Sequence, residues 1–155
     1  MVIDIDDTII EVHGYTKQGS GYEYSGVRGL NTIIATASTK STAPVITAQR
    51  LRKGSCGSPR GAKRLVAHAL RTTRALRPSS LLETSLKPLM RADSAFFGHP
   101  TISAAIHGGA DVSVTVRLDK PIRAAIATIP DDAWTPIEYT DALYDEQAKD
   151  VGLTR

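Results

Sequence analysis

The sequence of 155 residues has little of several features that mark other protein classes. It holds one cysteine, Cys56, which excludes an internal disulfide framework and is typical of a protein in the reducing cytoplasm. No apolar run reaches the roughly 18 residues that a membrane-spanning helix needs, so no membrane partner is expected. Strand-like residues follow Met1 at once, without a basic segment or a cleavage site, so no signal peptide is visible.

Acidic residues are missing from a long central stretch. No Asp or Glu occurs from Tyr24 to Leu82, whereas the same stretch is rich in arginine and lysine. A basic block without interspersed acids indicates a polyanionic partner, because phosphate contacts need uncompensated positive charges. A solvated helix face that aids solubility is an equally good interpretation of the charge alone.

Residue patterning predicts one α/β domain with a mixed sheet. Three early strands with short connections favour antiparallel pairing. Ser58 and Pro59 have the residue types of a helix N-cap and first helical position. The predicted order is βββ-α-β-α-β-α, with a short strand after it. The strands are 2–10, 30–37, 44–51, 89–92, 112–116 and 134–139, and the helices are 58–77, 100–107 and 121–129.

The first strand carries a group of acidic residues, Asp4-Ile5-Asp6-Asp7-Thr8. Alternate residues of a strand share a face, so Asp4, Asp6 and Thr8 are expected on one side and the isoleucines on the other. Paired carboxylates repel each other, and a divalent cation removes that penalty. The pattern therefore predicts a Mg²⁺ or Mn²⁺ site, with an acidic strand edge that faces water as the alternative.

A second acidic centre lies at Asp93, where a short apolar strand meets a loop. Functional groups in α/β folds favour the carboxyl ends of strands, where loops form a cleft. Asp93 precedes Ser94, so a helix N-cap explains it equally well.

The opening segment by itself resembles the first motif of haloacid-dehalogenase-like phosphatases. That resemblance implies Asp4 as the nucleophile and Asp6 as the acid/base. It also implies Thr39 as the second motif and Asp131-Asp132 as distal metal ligands. No persuasive βαβ succession follows the opening motif, and the distal acids come after Pro130 instead of a strand end.

A longer set of segments resembles insertion-sequence transposases of the DDE type, group 1 of that domain family. In chain order these segments lie at 4–8, 11–14, 17–19, 24–30, 49–55 and 91–96. The resemblance extends to about residue 145, which gives a partial transposase catalytic domain at 1–145 and an atypical tail at 146–155.

The transposase resemblance implies a ribonuclease H-like fold: a mixed sheet with an antiparallel three-strand start, flanked by helices. It implies catalysis by Asp6 and Asp93, and a metal site of Asp4, Asp6 and Asp93 that holds Mg²⁺ or Mn²⁺. The implied reaction is DNA cleavage and strand transfer by two-metal phosphodiester chemistry. The implied partner is double-stranded DNA at transposon ends, bound by Arg50, Arg52, Lys53, Arg60, Lys63 and Arg64.

The resemblance also sets expectations about the state of the protein. A bacterial, nucleoid-associated location in the cytoplasm and a homodimer of the full-length protein are implied. The family's third carboxylate is a glutamate on a downstream helix, for which no equivalent is found; Glu146 lies in the wrong context. We therefore expect the chain alone to be inactive, and a non-catalytic DNA-binding remnant is the remaining alternative.

Overall fold

The computed structural model describes residues 1–14, 16–23, 25–76, 87–135, 142–145 and 150–153. The chain divides into two compact units, Met1–Arg117 and Leu118–Arg155. The expected boundary at residue 145 adjoins residues outside the described ones and stays a prediction. No helix of the described part is long and apolar enough to cross a membrane.

The first unit is built on a six-stranded mixed sheet. The strand β3 pairs antiparallel with β1, and its other edge pairs antiparallel with β4 and with the two residues of β2. On its other side β1 pairs in parallel with β5, and β5 pairs in parallel with β6. The strands are β1 (Val2–Glu11), β2 (Gly21–Tyr22), β3 (Arg28–Thr39), β4 (Thr42–Lys53), β5 (Leu89–Ala92) and β6 (Asp111–Val114).

Two helices contribute to the core of this unit, α1 (Ala62–Leu76) and α2 (His99–His107). The stripe of α1 that includes Leu65, Val66 and Ala69 is buried, as its helical spacing predicts. Ile3 and Ile5 of β1 belong to the same apolar cluster. The alternation of β1 thus orients Ile3 and Ile5 toward the core, as the sequence predicts, whereas Ile9 is only partly buried.

The second unit contains α3 (Lys120–Ile126), a 3₁₀ turn (Asp131–Ala133) and a two-stranded antiparallel sheet of β7 (Ala142–Asp145) and β8 (Asp150–Leu153). Asp119 caps α3, because its carboxylate accepts a hydrogen bond from the backbone N–H of Ile122 at 3.1 Å. Of the strand predicted at 134–139, the first two residues have no regular structure, and the other four lie outside the described residues.

The α/β class and the mixed sheet agree with the prediction, and the arrangement is consistent with a ribonuclease H-like fold. The predicted start of the first helix is wrong, since α1 begins at Ala62. The backbone of Gly61 has φ +85°, a left-handed conformation that separates the preceding turn from the helix. Ser58 lies in that turn instead of capping α1.

Gly54 allows three backbone segments to meet at the end of β4. Its N–H donates to the Gly19 carbonyl at 3.0 Å, and a Cβ placed there would collide with the backbone of Gly29 and Gly21. A side chain of any size would therefore push these strands apart.

We expect Gly54→Ala to lower the free energy of unfolding by about 2 kcal/mol or more, because it overpacks this junction. Gly57→Ala is the matched control: a Cβ at Gly57 has nothing within 4 Å. Urea unfolding followed by circular dichroism measures both. Equal stability of the two variants would contradict the close approach at Gly54.

Candidate functional site

The parallel pairing of β1 with β5 brings the two acidic centres of the sequence together. Asp4 lies opposite Arg91, and Ile5 lies opposite Ala92. The residue that follows this last pair is an aspartate in both segments: Asp6 on β1, and Asp93 directly after β5. Two carboxylates that are far apart in the sequence thus become neighbours at the carboxyl end of β5.

Asp6 and Asp93 line two cavities. One has a volume of about 550 Å³ and extends past Asp4 and Arg91 to Ser113 and Thr115. The other has a volume of about 530 Å³, and its lining includes Glu23, Asn31 and Ser58. The two aspartates are therefore accessible from both cavities.

The local backbone holds each of these aspartates. Asp93 caps the 3₁₀ turn Ser94–Phe96, since its Oδ1 accepts a hydrogen bond from the backbone N–H of Ala95 at 2.9 Å. Phe96 in this turn is fully buried and anchors it to the core. Asp6 Oδ1 accepts from the backbone N–H of Asp7 at 2.8 Å. The N-cap interpretation of Asp93 is confirmed, and only one of its carboxylate oxygens takes part in that cap.

Asp4 lies on the same strand but is engaged differently. Its two oxygens accept from Nε and Nη2 of Arg91 at 2.7 and 3.0 Å, which is the fork geometry of an arginine–carboxylate pair. The pKa of Arg91 is raised, mainly by the hydrogen bond to Asp4 and secondly by the negative charge of Asp4. A metal ion bound by Asp4 would share or replace this guanidinium, and the role of Asp4 as a ligand stays a prediction.

The remaining donors fit a magnesium-type ion with few protein ligands. Within the described residues no group of three or more His, Cys, Asp or Glu side chains is arranged to hold a metal ion. Mg²⁺ commonly binds through one or two carboxylates and completes its shell with water and substrate phosphate. The oxygen donors Asp6 and Asp93 are compatible with such an ion.

A largely buried ionic network lies beside Asp6, and its members Asp7 and Asn31 also line the second cavity. Arg52 Nη2 donates to Asp7 Oδ2 at 2.8 Å, and Arg52 Nε donates to Asn31 Oδ1 at 2.8 Å. Asn31 Nδ2 donates to the same Asp7 oxygen at 2.8 Å. The side chains of Arg52 and Asp7 are only 8% and 15% exposed. The network joins β1, β3 and β4 through charged groups in the interior.

The same arginine also holds the turn that precedes α1. Arg52 Nη1 donates to the carbonyl of Ser58 at 2.9 Å and to that of Arg60 at 2.6 Å. Every nitrogen of the guanidinium thus has an acceptor within the protein. Arg52 was predicted to bind DNA; its donors are engaged in this network, so contact with a phosphate would break some of these bonds, and that role stays a prediction.

The role of Asp7 was missed at the sequence level, although a signal was present. Asp7 follows Ile3 and Ile5 at alternate positions, so it belongs to the buried face of β1. A carboxylate on an apolar face requires a partner. This pattern therefore predicts an ion pair between Asp7 and a basic residue elsewhere in the chain.

The other residues predicted to bind DNA are placed differently from Arg52. Arg50 is half-buried on β4, and its Nε atom is buried without a hydrogen-bond partner. The remaining four are exposed: Lys53, Arg60, Lys63 and Arg64. These four are available to a ligand from solvent.

The phosphatase hypothesis gains no support from the strand arrangement. After Asp4 and Asp6 the strand β1 continues to Glu11 and is followed by antiparallel strands instead of a βαβ unit. Thr39 lies five residues along β3 from Ile34, the partner of Asp6, a distance of about 16 Å. Asp131 and Asp132 belong to the other unit.

Comparison with known proteins gives a likeness in structure alone. No model of a protein family matches the chain, and no curated protein matches it by sequence. The structure is similar to that of a piggyBac transposase, solved by cryo-EM as a synaptic complex with hairpin DNA. The TM-score is 0.51 at 14% identity, over 93% of this chain and 28% of the transposase chain. The chain therefore has a fold like that of part of a transposase and spans little more than a quarter of its length.

We expect Arg52→Met to lower the free energy of unfolding by about 3 kcal/mol or more, since it leaves the Asp7 carboxylate buried without its counter-charge. The neighbouring Lys53 is exposed, so Lys53→Met removes a charge from the same strand and should change stability by less than about 0.5 kcal/mol. Chemical unfolding of the two variants measures the difference. Similar losses in both would show that the network contributes little.

Proposed function

We propose that this chain forms part of the catalytic domain of a DDE-type transposase of a bacterial insertion sequence. The observation that carries the proposal is that Asp6 on β1 and Asp93 at the end of the adjacent parallel strand β5 both line two cavities. The likeness of the fold to a solved transposase supports it, as do the sequence segments that resemble that family.

In this proposal Asp6 and Asp93 bind Mg²⁺ or Mn²⁺ through carboxylate oxygens. Asp4 is an additional oxygen donor, which would bind the ion in place of its contact with Arg91. When bound, the metal lowers the pKa of a coordinated water and stabilises charge on a phosphodiester. The contribution of the chain itself is to hold the carboxylates through the cap at Asp93 and the backbone contact of Asp6.

The proposed substrate is double-stranded DNA at the ends of the element. Lys53, Arg60, Lys63 and Arg64 are exposed and carry no ion pair among the described salt bridges. Their positive charges would bind DNA through its phosphates, which position a duplex without reading its sequence. Arg52 is left out of this set because its donors are used internally.

Removal of either central carboxylate should weaken metal binding. We expect Asp6→Asn and Asp93→Asn each to weaken Mn²⁺ binding roughly tenfold or more, because the attraction of one carboxylate to a divalent ion contributes at least about 1.4 kcal/mol. Asp4→Asn should have a smaller effect, since the charge of Asp4 is already compensated by Arg91. Isothermal titration with Mn²⁺ measures all three.

Glu11→Gln is the control for these variants, because Glu11 is an exposed carboxylate on the same strand outside both cavities. Mn²⁺ binding that is unchanged in Asp6→Asn and Asp93→Asn would overturn the metal site. DNA binding that persists in the absence of any metal site would then favour the non-catalytic remnant.

We expect the chain alone not to cleave DNA that carries its element's ends in Mg²⁺. Asp4, Asp6 and Asp93 line one cavity, but Asp4 is paired with Arg91, whereas two-metal chemistry needs ligands for both ions. Incubation with supercoiled plasmid and separation on agarose tests this. Metal-dependent nicking that is lost in Asp93→Asn would contradict the expected inactivity and would confirm the catalytic carboxylates.

A further inference from the structure

A groove with a volume of about 580 Å³ lies along the contact between α1 and α2. Its small and apolar lining is formed by Ala67, Leu70, Ala104 and Gly108. The helices approach closely there, since a Cβ at Gly108 would collide with the side chain of Leu70. Basic side chains belong to the same lining: Lys63, Arg71, Arg74 and His107.

The charge of this groove has one sign. Neither α1 nor α2 contains an Asp or Glu. The salt bridges of the described residues are Arg52–Asp7, Lys87–Asp111 and Arg91–Asp4, so none involves a side chain of the groove. Arg74 is held by a long hydrogen bond from Nη2 to the Gly108 carbonyl at 3.4 Å, which draws one cation toward α2. The groove thus concentrates uncompensated positive charge.

The spacing of the cations suits a strand of phosphates. Lys63, Ala67, Arg71 and Arg74 follow one another at intervals of four, four and three residues, so they lie on one side of α1. From Lys63 to Arg74 the helix rises about 16 Å, which is long enough to follow more than one phosphate of a DNA backbone. Ala67 between the cations leaves room for a backbone to pass.

The groove is separate from the carboxylate site. None of its lining residues lines either cavity at Asp6 and Asp93. The buried stripe of α1 packs in the core with residues of β1 and β3. A ligand in the groove would therefore contact the helical layer without approaching the carboxylates.

We infer that the groove between α1 and α2 binds the phosphodiester backbone of duplex DNA, at a place distinct from the carboxylate site. The choice of DNA as the polyanion rests on the proposed function. The groove adds Arg71, Arg74 and His107 to the DNA-contacting residues that the sequence suggested. Because the contacts are to phosphates, binding there is independent of DNA sequence and of divalent metal.

The test is fluorescence anisotropy of labelled duplex DNA in EDTA, with salt varied. Arg71→Gln should weaken binding roughly tenfold, and Arg71→Gln/Arg74→Gln should reduce the slope of log K against log salt by about 2. Lys40→Gln is the matched control, since Lys40 is exposed in the turn between β3 and β4, outside the groove. It should leave both the affinity and the slope near those of the unmodified protein.

Ala67→Glu distinguishes a loss of DNA binding from a loss of folding. Ala67 is exposed and glutamate is a good helix former, so the variant should fold. It should weaken DNA binding at least as much as Arg71→Gln while the thermal unfolding of the protein stays the same. Affinities of Arg71→Gln and Ala67→Glu that equal the affinity of Lys40→Gln would overturn the inference. So would competition by polyglutamate as strong as by unlabelled DNA of equal charge.

The outcome for the groove is distinguishable from the outcome for the proposed function. Asp6→Asn and Asp93→Asn should bind DNA normally in EDTA, because the carboxylates are outside the groove. Salt-dependent binding at the groove together with no metal binding at the aspartates would reject the proposed function and keep the groove. Metal binding at the aspartates with unchanged DNA binding in Arg71→Gln would reject the groove and keep the proposed function.

Discussion

The ionic contact between Arg52 and Asp7 is the constraint on which the rest of the first unit depends. It joins β4 to β1 across β3, and Asn31 of β3 donates and accepts within it. Charged groups in an interior tolerate little displacement, because an unpaired buried charge is much more costly than a lost apolar contact. The network therefore favours the one register of the three strands in which these groups are paired.

This constraint has a direct bearing on the carboxylate site. Asp6 and Asp7 are adjacent on β1, so fixing one side chain toward the core turns the other toward the opposite face. Arg52 also holds the carbonyls of Ser58 and Arg60, and Ser58 lines a cavity with Asp6 and Asp93. One guanidinium thus shapes the strand that carries Asp6 and one wall of the space in front of it.

The sequence allowed the main strands of the first unit and their order along the chain to be predicted, but not the long-range contacts. Alternation in β1 and β-branched residues in β3 are local signals, and both elements formed as expected. Asp93 was found as a residue at the end of an apolar strand. Arg52, in contrast, resembles every other cation of the basic stretch until its partner Asp7 is known. The start of α1 was misplaced for the same reason, since Arg52 binds the turn at Ser58 in place of a helix cap.

The parallel pairing of β1 with β5 has a consequence for how the protein folds. The strands β1, β3 and β4 follow one another by short connections, whereas the Arg91–Asp4 contact between β5 and β1 joins residues 87 positions apart. Closing so long a loop has a large entropic cost that antiparallel neighbours avoid. The antiparallel strands form from contacts of shorter sequence separation. The pair Asp6–Asp93, in contrast, exists only after β5 has docked on β1, so the appearance of the carboxylate site reports this long-range pairing.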